Sequence, residues 1–244
     1  GLLGDDEGVW PFTGNNSITG GSIDLAIGRI PARTLEEAAT VLEKIEQYED
    51  PSNRGEWRSR FTFVADDQFP NSFDRDLHVQ NADVTAEVAQ AMEPSATFQK
   101  IYAPSFPLDR GARGDRRPLV NDGIRQAINE GTLIWNYSGH GGPDGLGDEK
   151  YVTEDLLNSL DNGTRLPVFV TATCSFGKFD ITDEQSLAEQ FLLAQDKGGV
   201  AMLTTVRIVY TSSSESSLNL GLNIELTEQL LKREADGRPA RVGD

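Results

Sequence analysis

The chain has 244 residues, 37% hydrophobic and 8% aromatic, enough for one sizeable α/β core and too apolar for an intrinsically disordered chain. Its formal net charge of −17 disfavours nucleic acid and anionic lipid as partners, since an acidic surface repels phosphates. A single cysteine, Cys174, excludes a disulfide scaffold and zinc fingers, and no apolar run of about 18 residues is present to span a membrane.

The opening residues GLLGDDEGVW show no basic segment followed by an apolar one, so no signal peptide is visible. Ile23 to Ile30 reads as a short strand, and a helix follows from Thr34 to Tyr48. Thr34 and Glu37 form a capping box, and Ala38, Val41, Leu42 and Ile45 make its apolar stripe. Pro51 and Gly55 break the chain before the strand Arg60 to Ala65, which runs into Asp66 and Asp67. A helix is predicted over Ala82 to Met92 and a strand over Thr97 to Tyr102. Pro104 to Arg117, rich in Pro, Gly, Arg and Asp, reads as a surface loop, with a helix over Val120 to Asn129. Thr132 to Tyr137 is a nearly continuous apolar strand ending in Ser-Gly-His-Gly-Gly. After a helix over Thr153 to Leu160, the strand Leu166 to Thr171 ends in Ala-Thr-Cys. A helix over Glu184 to Gln195, a strand over Gly199 to Thr204 and a long helix over Ser216 to Arg233 complete the pattern.

Strands alternating with helices predict βαβ units, a mainly parallel sheet and helices on both faces. Ligands in such sheets bind beyond the carboxyl ends of the strands. His140 and Cys174 stand at two such ends, 34 residues apart, which is room for one helix and the neighbouring strand. A thiol is mostly protonated at neutral pH and attacks well only when an imidazole takes or balances its proton. The glycines around His140 let a substrate backbone come close and leave an N–H free to meet an oxyanion. The bland readings are a turn-capping histidine and a buried structural thiol; finding both residues at the ends of consecutive core strands favours the dyad. A phosphate-cradling reading of GHGGPDGLG fails for lack of the Walker lysine and of the GxGxxG spacing.

The segments WNYSGHGG (135–142) and FVTATCSFGKFD (169–180) resemble the His and Cys motifs of the gingipain peptidase family. DLAIGRIPARTLEEAATVLEKIEQYE (24–49) resembles a further stretch of that family. FVADD (63–67), TATCSFGKFD and LTTVRIVY (203–210) are most similar to its PorU-type sortase branch, which belongs to the type IX secretion system. The resemblance runs in order along nearly the whole chain. It implies an α/β fold, a caspase-like three-layer α/β/α sandwich, and cysteine endopeptidase chemistry. Residues 1–244 would form the catalytic domain of a longer protein, without its N-terminal subdomain.

Carried over by position, His140 is the general base and Cys174 the nucleophile, with the N–H groups of Gly141 and Cys174 as the oxyanion hole. Asp67 matches the acid that orients the histidine, one methylene shorter than the family's residue; Asp66, Asp24 or a backbone carbonyl are the alternatives. His78 falls where Arg-cleaving members hold a pocket acid, so a basic P1 residue is not expected; the alternative is a surface histidine at a helix start. Tyr210 matches a pocket-lining aromatic, against ordinary packing. The chemistry requires no cofactor. Calcium as a structural ion has candidate ligands in Asp5, Asp6 and Glu7, in Asp144, Asp148 and Glu149, and in Asp180 and Asp183. These read first as a solvated acidic surface, so no metal ligand is assigned. The expected partners are a protein or peptide substrate, namely secreted cargo, and other components of the secretion system. The expected place is the cell surface or outer membrane of a bacterium, or outside the cell. A secreted general endopeptidase and a non-catalytic caspase-like binding module are the rival functions; retention of both His140 and Cys174 argues against the second.

Overall fold

A computed structural model describes residues 28–67, 76–112, 114–181, 183–210, 218–235 and 237. Helix α1 (Leu35–Glu49) begins where the capping box predicts. The Thr34 hydroxyl accepts from the Glu37 N–H, and the Glu37 carboxylate accepts from the N–H groups of Arg33 and Thr34. The stripe differs from the expectation: Val41 is buried, but Leu42 is exposed and Lys44 is buried instead. The Lys44 ammonium donates to the carbonyls of Phe191, Leu192, Ala194 and Lys197 at 2.8–3.1 Å. It thereby satisfies acceptors that a helix end leaves without intrahelical partners.

The strands are β1 (Arg60–Ala65), β2 (Thr97–Tyr102), β3 (Asp109–Gly111), β4 (Gly114–Arg116), β5 (Ile134–Ser138), β6 (Gly141–Gly142), β7 (Gly145–Leu146), β8 (Val168–Ala172) and β9 (Ala201–Thr204). The further helices are α2 (Leu77–Met92), α3 (Pro118–Glu130), α4 (Glu154–Asn158), α5 (Leu187–Leu193) and α6 (Leu218–Leu231). Helix α2 starts five residues earlier than the sequence pattern suggests and so takes in His78. The loop 104–117 carries the small antiparallel hairpin β3–β4. Of the expected strand Ile23 to Ile30, residues 28–30 are irregular and the rest lies outside the described residues.

One sheet has the order β2-β1-β5-β8-β9, with every pair parallel. Alternate side chains along each strand enter different layers. Val64, Trp135, Tyr137 and Phe169 pack with α3, α4 and α5 on one face. Phe61, Phe63, Ile134 and Val170 pack with α2 and α6 on the other. This is the three-layer α/β/α sandwich expected from the sequence. Each fully buried large side chain contributes about 1.5–3 kcal/mol of transfer free energy. The strand order reverses at β1, with β2 on one side and β5 on the other. In such sheets the crevice beyond the carboxyl ends at the reversal is the ligand site.

A polar contact lies inside the α2/α6 layer. Asn136 of β5 donates to the side-chain oxygen of Asn223 at 2.7 Å, and Asn223 donates back to Asn136 at 3.2 Å and to Thr85 at 3.3 Å. All three residues are buried, so each amide depends on the others for its hydrogen bonds. Asn223→Ala should cost about 2–4 kcal/mol in urea unfolding, because Asn136 keeps its burial and loses its partner. Adding Asn136→Ala should cost less than the sum of the two single losses, and a double-mutant cycle reads the difference.

Candidate active site

The register of three strands puts the candidate residues at one rim. Ala65 pairs with Ser138, and Ser138 pairs with Ala172. The chain leaves this row as Asp66 one residue on, and as His140 and Cys174 two residues on. The ladder continues past the strand ends: the Asp66 N–H donates to the Ser138 carbonyl at 3.0 Å and the Gly139 N–H to the Ala172 carbonyl at 3.3 Å.

The two loops then lean on each other. A Cβ placed on Gly141 would lie 2.6 Å from Thr173 Oγ1 and 2.8 Å from Leu146 Cδ2. The residue after His140 is therefore in close contact with the residue before Cys174. Gly141 pairs with Leu146 across the β6–β7 hairpin, and the Gly147 N–H donates to the His140 carbonyl at 2.9 Å. That makes Gly141–Leu146 the non-hydrogen-bonded pair, so the Gly141 N–H is not committed to the hairpin. Gly139 is confined as well: a Cβ there would lie 2.3 Å from the Tyr137 hydroxyl and 2.4 Å from Asp66 Cβ.

Cys174 is partly exposed, and its thiol reaches the Val209 carbonyl at 3.5 Å. The segment after β9 wraps the cysteine turn. The Ser175 N–H donates to the Arg207 carbonyl at 3.1 Å, the Gly177 N–H to the Thr205 carbonyl at 2.9 Å, and the Thr205 hydroxyl to the Thr173 carbonyl. Tyr210 ends this segment and is 74% exposed. Ser175, directly after the thiol, holds a φ of 49°, a conformation uncommon for a residue with a Cβ.

Around His140 the acids divide their work. Asp66 Oδ2 accepts from the His140 N–H at 2.8 Å, and the Tyr137 hydroxyl stands 3.0 Å from the same oxygen and 2.8 Å from the His140 carbonyl. Burial pushes the Asp66 carboxyl up to about 7, against the lowering effect of that N–H and of the His140 imidazole. Asp67 points elsewhere, into an ion pair with Arg117 at 2.5 Å, with the Tyr151 hydroxyl 3.4 Å from its other oxygen. Arg117 is fixed by a further bond to the Phe106 carbonyl. His78 is not the surface residue allowed as an alternative: it is 4% exposed, and its Nε2 lies 3.2 Å from His140 Nε2 with the rings edge to face. Asp24 lies outside the described residues, as do Asp5, Asp6 and Glu7.

Sequence reasoning missed Arg117, Tyr137 and Tyr151, and placed Glu149 only within an acidic cluster. No local pattern marks an arginine at a loop end as a carboxylate partner. The carboxylates of Asp66, Asp67 and Glu149 lie within 4.8 Å of one another, close enough to share a cation. Arg117 and the His140 N–H already engage the two aspartates. Glu149 Oε2 is buried with no hydrogen-bond partner among the described residues, and burial and then the Asp67 charge raise the pKa of its carboxyl. Asp180 pairs with Arg207 on the exposed surface. Asp144 and Asp148 are also exposed, and with His140, Gly141, Gly142 and Lys150 they line a cavity of about 380 Å³.

A thiol and an imidazole brought to one rim of a parallel sheet are the equipment of a cysteine peptidase. The chain belongs to peptidase family C25, the gingipain family of cysteine-type endopeptidases, whose model matches residues 10–244. Among solved structures it is similar to the Arg-specific cysteine proteinase gingipain R (RGPB), with a TM-score of 0.70, 20% identity, and coverage of 93% of this chain and 49% of that one. It is also similar to the complex of the Porphyromonas gingivalis RgpB pro- and mature domains, with a TM-score of 0.68, 20% identity, and coverage of 87% and 47%. At this identity the likeness is one of fold, and the chain spans about half the length of those chains. A search of curated proteins found no match.

Two predictions follow from this geometry. Gly141→Ala should slow thiol labelling at Cys174 by about tenfold or more, because the methyl group displaces the His140 loop from Thr173. Gly142→Ala, whose Cβ meets nothing within 4 Å, should change it far less. Arg117→Met should destabilise the fold by about 2 kcal/mol in urea unfolding, since it strands a partly buried carboxylate, and Asp67→Asn in the same chain should restore part of the loss.

Proposed function

We propose that the chain is the catalytic core of an endopeptidase that processes secreted proteins through a thioester on Cys174. His140 takes the thiol proton as sulfur attacks the carbonyl carbon of the scissile peptide. The oxyanion develops beside the N–H groups of Gly141 and Cys174. The C–N bond then breaks, and the departing amine leaves with the proton from His140. Water or a second amine attacks the thioester and releases sulfur as the thiol. The observation that carries this reading is the Gly141–Thr173 contact, which holds the two loops together one residue from each reacting group.

The substrate follows from the residues at and after the strand ends. FVADD, TATCSFGKFD and LTTVRIVY resemble PorU-type sortases, and the last of these contains the segment wrapped around Cys174. On this reading the enzyme removes the C-terminal signal domain of cargo at the outer membrane or cell surface, beside other components of the type IX secretion system. An amine acceptor would convert the thioester into an attached product. The second reading, a secreted general endopeptidase, draws support from the proteinases of similar fold. The thiol chemistry needs no cofactor; calcium would serve only as a structural ion. No helix among the described residues is long and apolar enough to cross a membrane.

The test is labelling of Cys174 by a peptide-like electrophile, followed by intact mass, in the wild type, His140→Ala and a denatured control. Wild-type labelling should exceed His140→Ala by about a hundredfold. Equal slow labelling in both, rising only on denaturation, would mark a buried structural thiol. With a cargo C-terminal domain and an added amine, an amine-coupled product supports the sortase reading. Unselective cleavage of unrelated proteins supports the other.

A further inference from the structure

The cavity of about 380 Å³ beside His140 is walled by one stretch of chain, from His140 through the β6–β7 hairpin to Thr153. Among the described residues, it takes no wall from the Cys174 turn or from 205–210. The two residues of β6 face different ways. A Cβ on Gly141 would run into Thr173, next to the thiol, whereas one on Gly142 would meet nothing within 4 Å. Successive residues of a strand point to opposite faces, so the hairpin turns one face to the Cys174 turn and the other to open space. The walls are pinned through the main chain. The Leu146 N–H donates to the Val152 carbonyl and the Lys150 N–H to the Gly147 carbonyl, both at 3.0 Å. Asn121 Nδ2 donates to the Lys150 and Tyr151 carbonyls at 2.7 and 2.9 Å. The charged side chains of the lining, His140 apart, are Asp144, Asp148 and Lys150, all exposed, which leaves one net negative charge in a chain of net charge −17.

We propose that this cavity receives the first residues on the leaving side of the scissile bond, and that Asp144 and Asp148 make it select lysine or arginine there. The inference rests on the dyad reading above, in which the departing amine takes its proton from His140. The nitrogen that receives this proton belongs to the first residue of the leaving segment, so that residue passes the imidazole as it departs. A cavity that His140 helps to wall, on the side of the hairpin turned away from Cys174, can hold the leaving segment while the acyl part stays on sulfur. Its volume lies within the roughly 300–1,000 Å³ of small-ligand sites, which leaves room for side chains. Two carboxylates at its walls attract a cationic side chain and repel an acidic one. An amine that resolves the thioester enters where the first amine left, so the same carboxylates favour a cationic acceptor.

The test is digestion of a proteome-derived peptide library, with the cut sites read by mass spectrometry. Lysine and arginine should be enriched over aspartate and glutamate about fivefold or more at the first two positions after the cut. Asp144→Asn together with Asp148→Asn should bring that ratio below about twofold. For the wild type, 1 M salt, where the screening length is about 3 Å, should do the same. Asp144→Lys with Asp148→Lys should reverse the preference. An unchanged ratio in the Asn variant, or an altered preference before the cut instead of after it, would overturn the proposal. A second measurement needs no turnover. In a Cys174→Ala protein, Lys-Lys amide should shift the ¹H–¹⁵N signals of Gly142, Gly145 and Gly147, and Glu-Glu amide should not; equal shifts from both, or none from either, refute the site. Should His140→Ala label as fast as the wild type, the dyad and this inference fall together. A slow His140→Ala beside a library profile without basic preference defeats the leaving-side role alone.

Discussion

The parallel register of β1, β5 and β8 is the constraint on which the site depends. Ala65, Ser138 and Ala172 form one row across the sheet, and the chain leaves that row in the same direction three times. A slip of one residue in any of these pairings would exchange the two faces of that strand. Trp135 and Tyr137 would then face the α2/α6 layer, and Asn136 would lose Asn223. The fold therefore specifies the positions of His140 and Cys174 through its two cores, and the loops need only short, tightly fitted turns.

Those turns are held by polar contacts that hydrophobic packing cannot supply. Asp66 fastens the main chain at His140 and meets the Tyr137 hydroxyl, while Arg117 neutralises Asp67 close by. Three carboxylates near one another would repel if all were ionised and unpartnered. The arginine and the N–H of His140 offset part of that cost. The described bond from Asp66 to His140 thus acts on backbone position, while the His140 ring lies edge to face with His78.

Much of this was legible in the sequence, for physical reasons that differ by element. The strands β1, β5 and β8 are apolar on both faces, and the Thr34 capping box marks α1 by local hydrogen bonding alone. The glycines around His140 signal close approach, and the structure gives each a distinct neighbour at positions 139 and 141. What could not be read were pairings between distant segments. Lys44 reads as a solvated residue until the end of α5 and the turn after it supply four carbonyls. His78 looks like a helix-start residue until α2 packs across the rim beside His140. Arg117 closes a loop whose composition suggests only solvent.

The segment 205–209 behind the thiol has a temporal consequence. The groups at this rim come from chain made at different times: Asp66 early, the His140 loop midway, and the Val209 carbonyl beside Cys174 last. Ribosomal synthesis and folding proceed from the N-terminus, and contacts between distant segments form late. A nascent chain that has passed Cys174 but not Val209 has its thiol without its surroundings. Cys174 therefore gains these surroundings only once most of the sheet is complete.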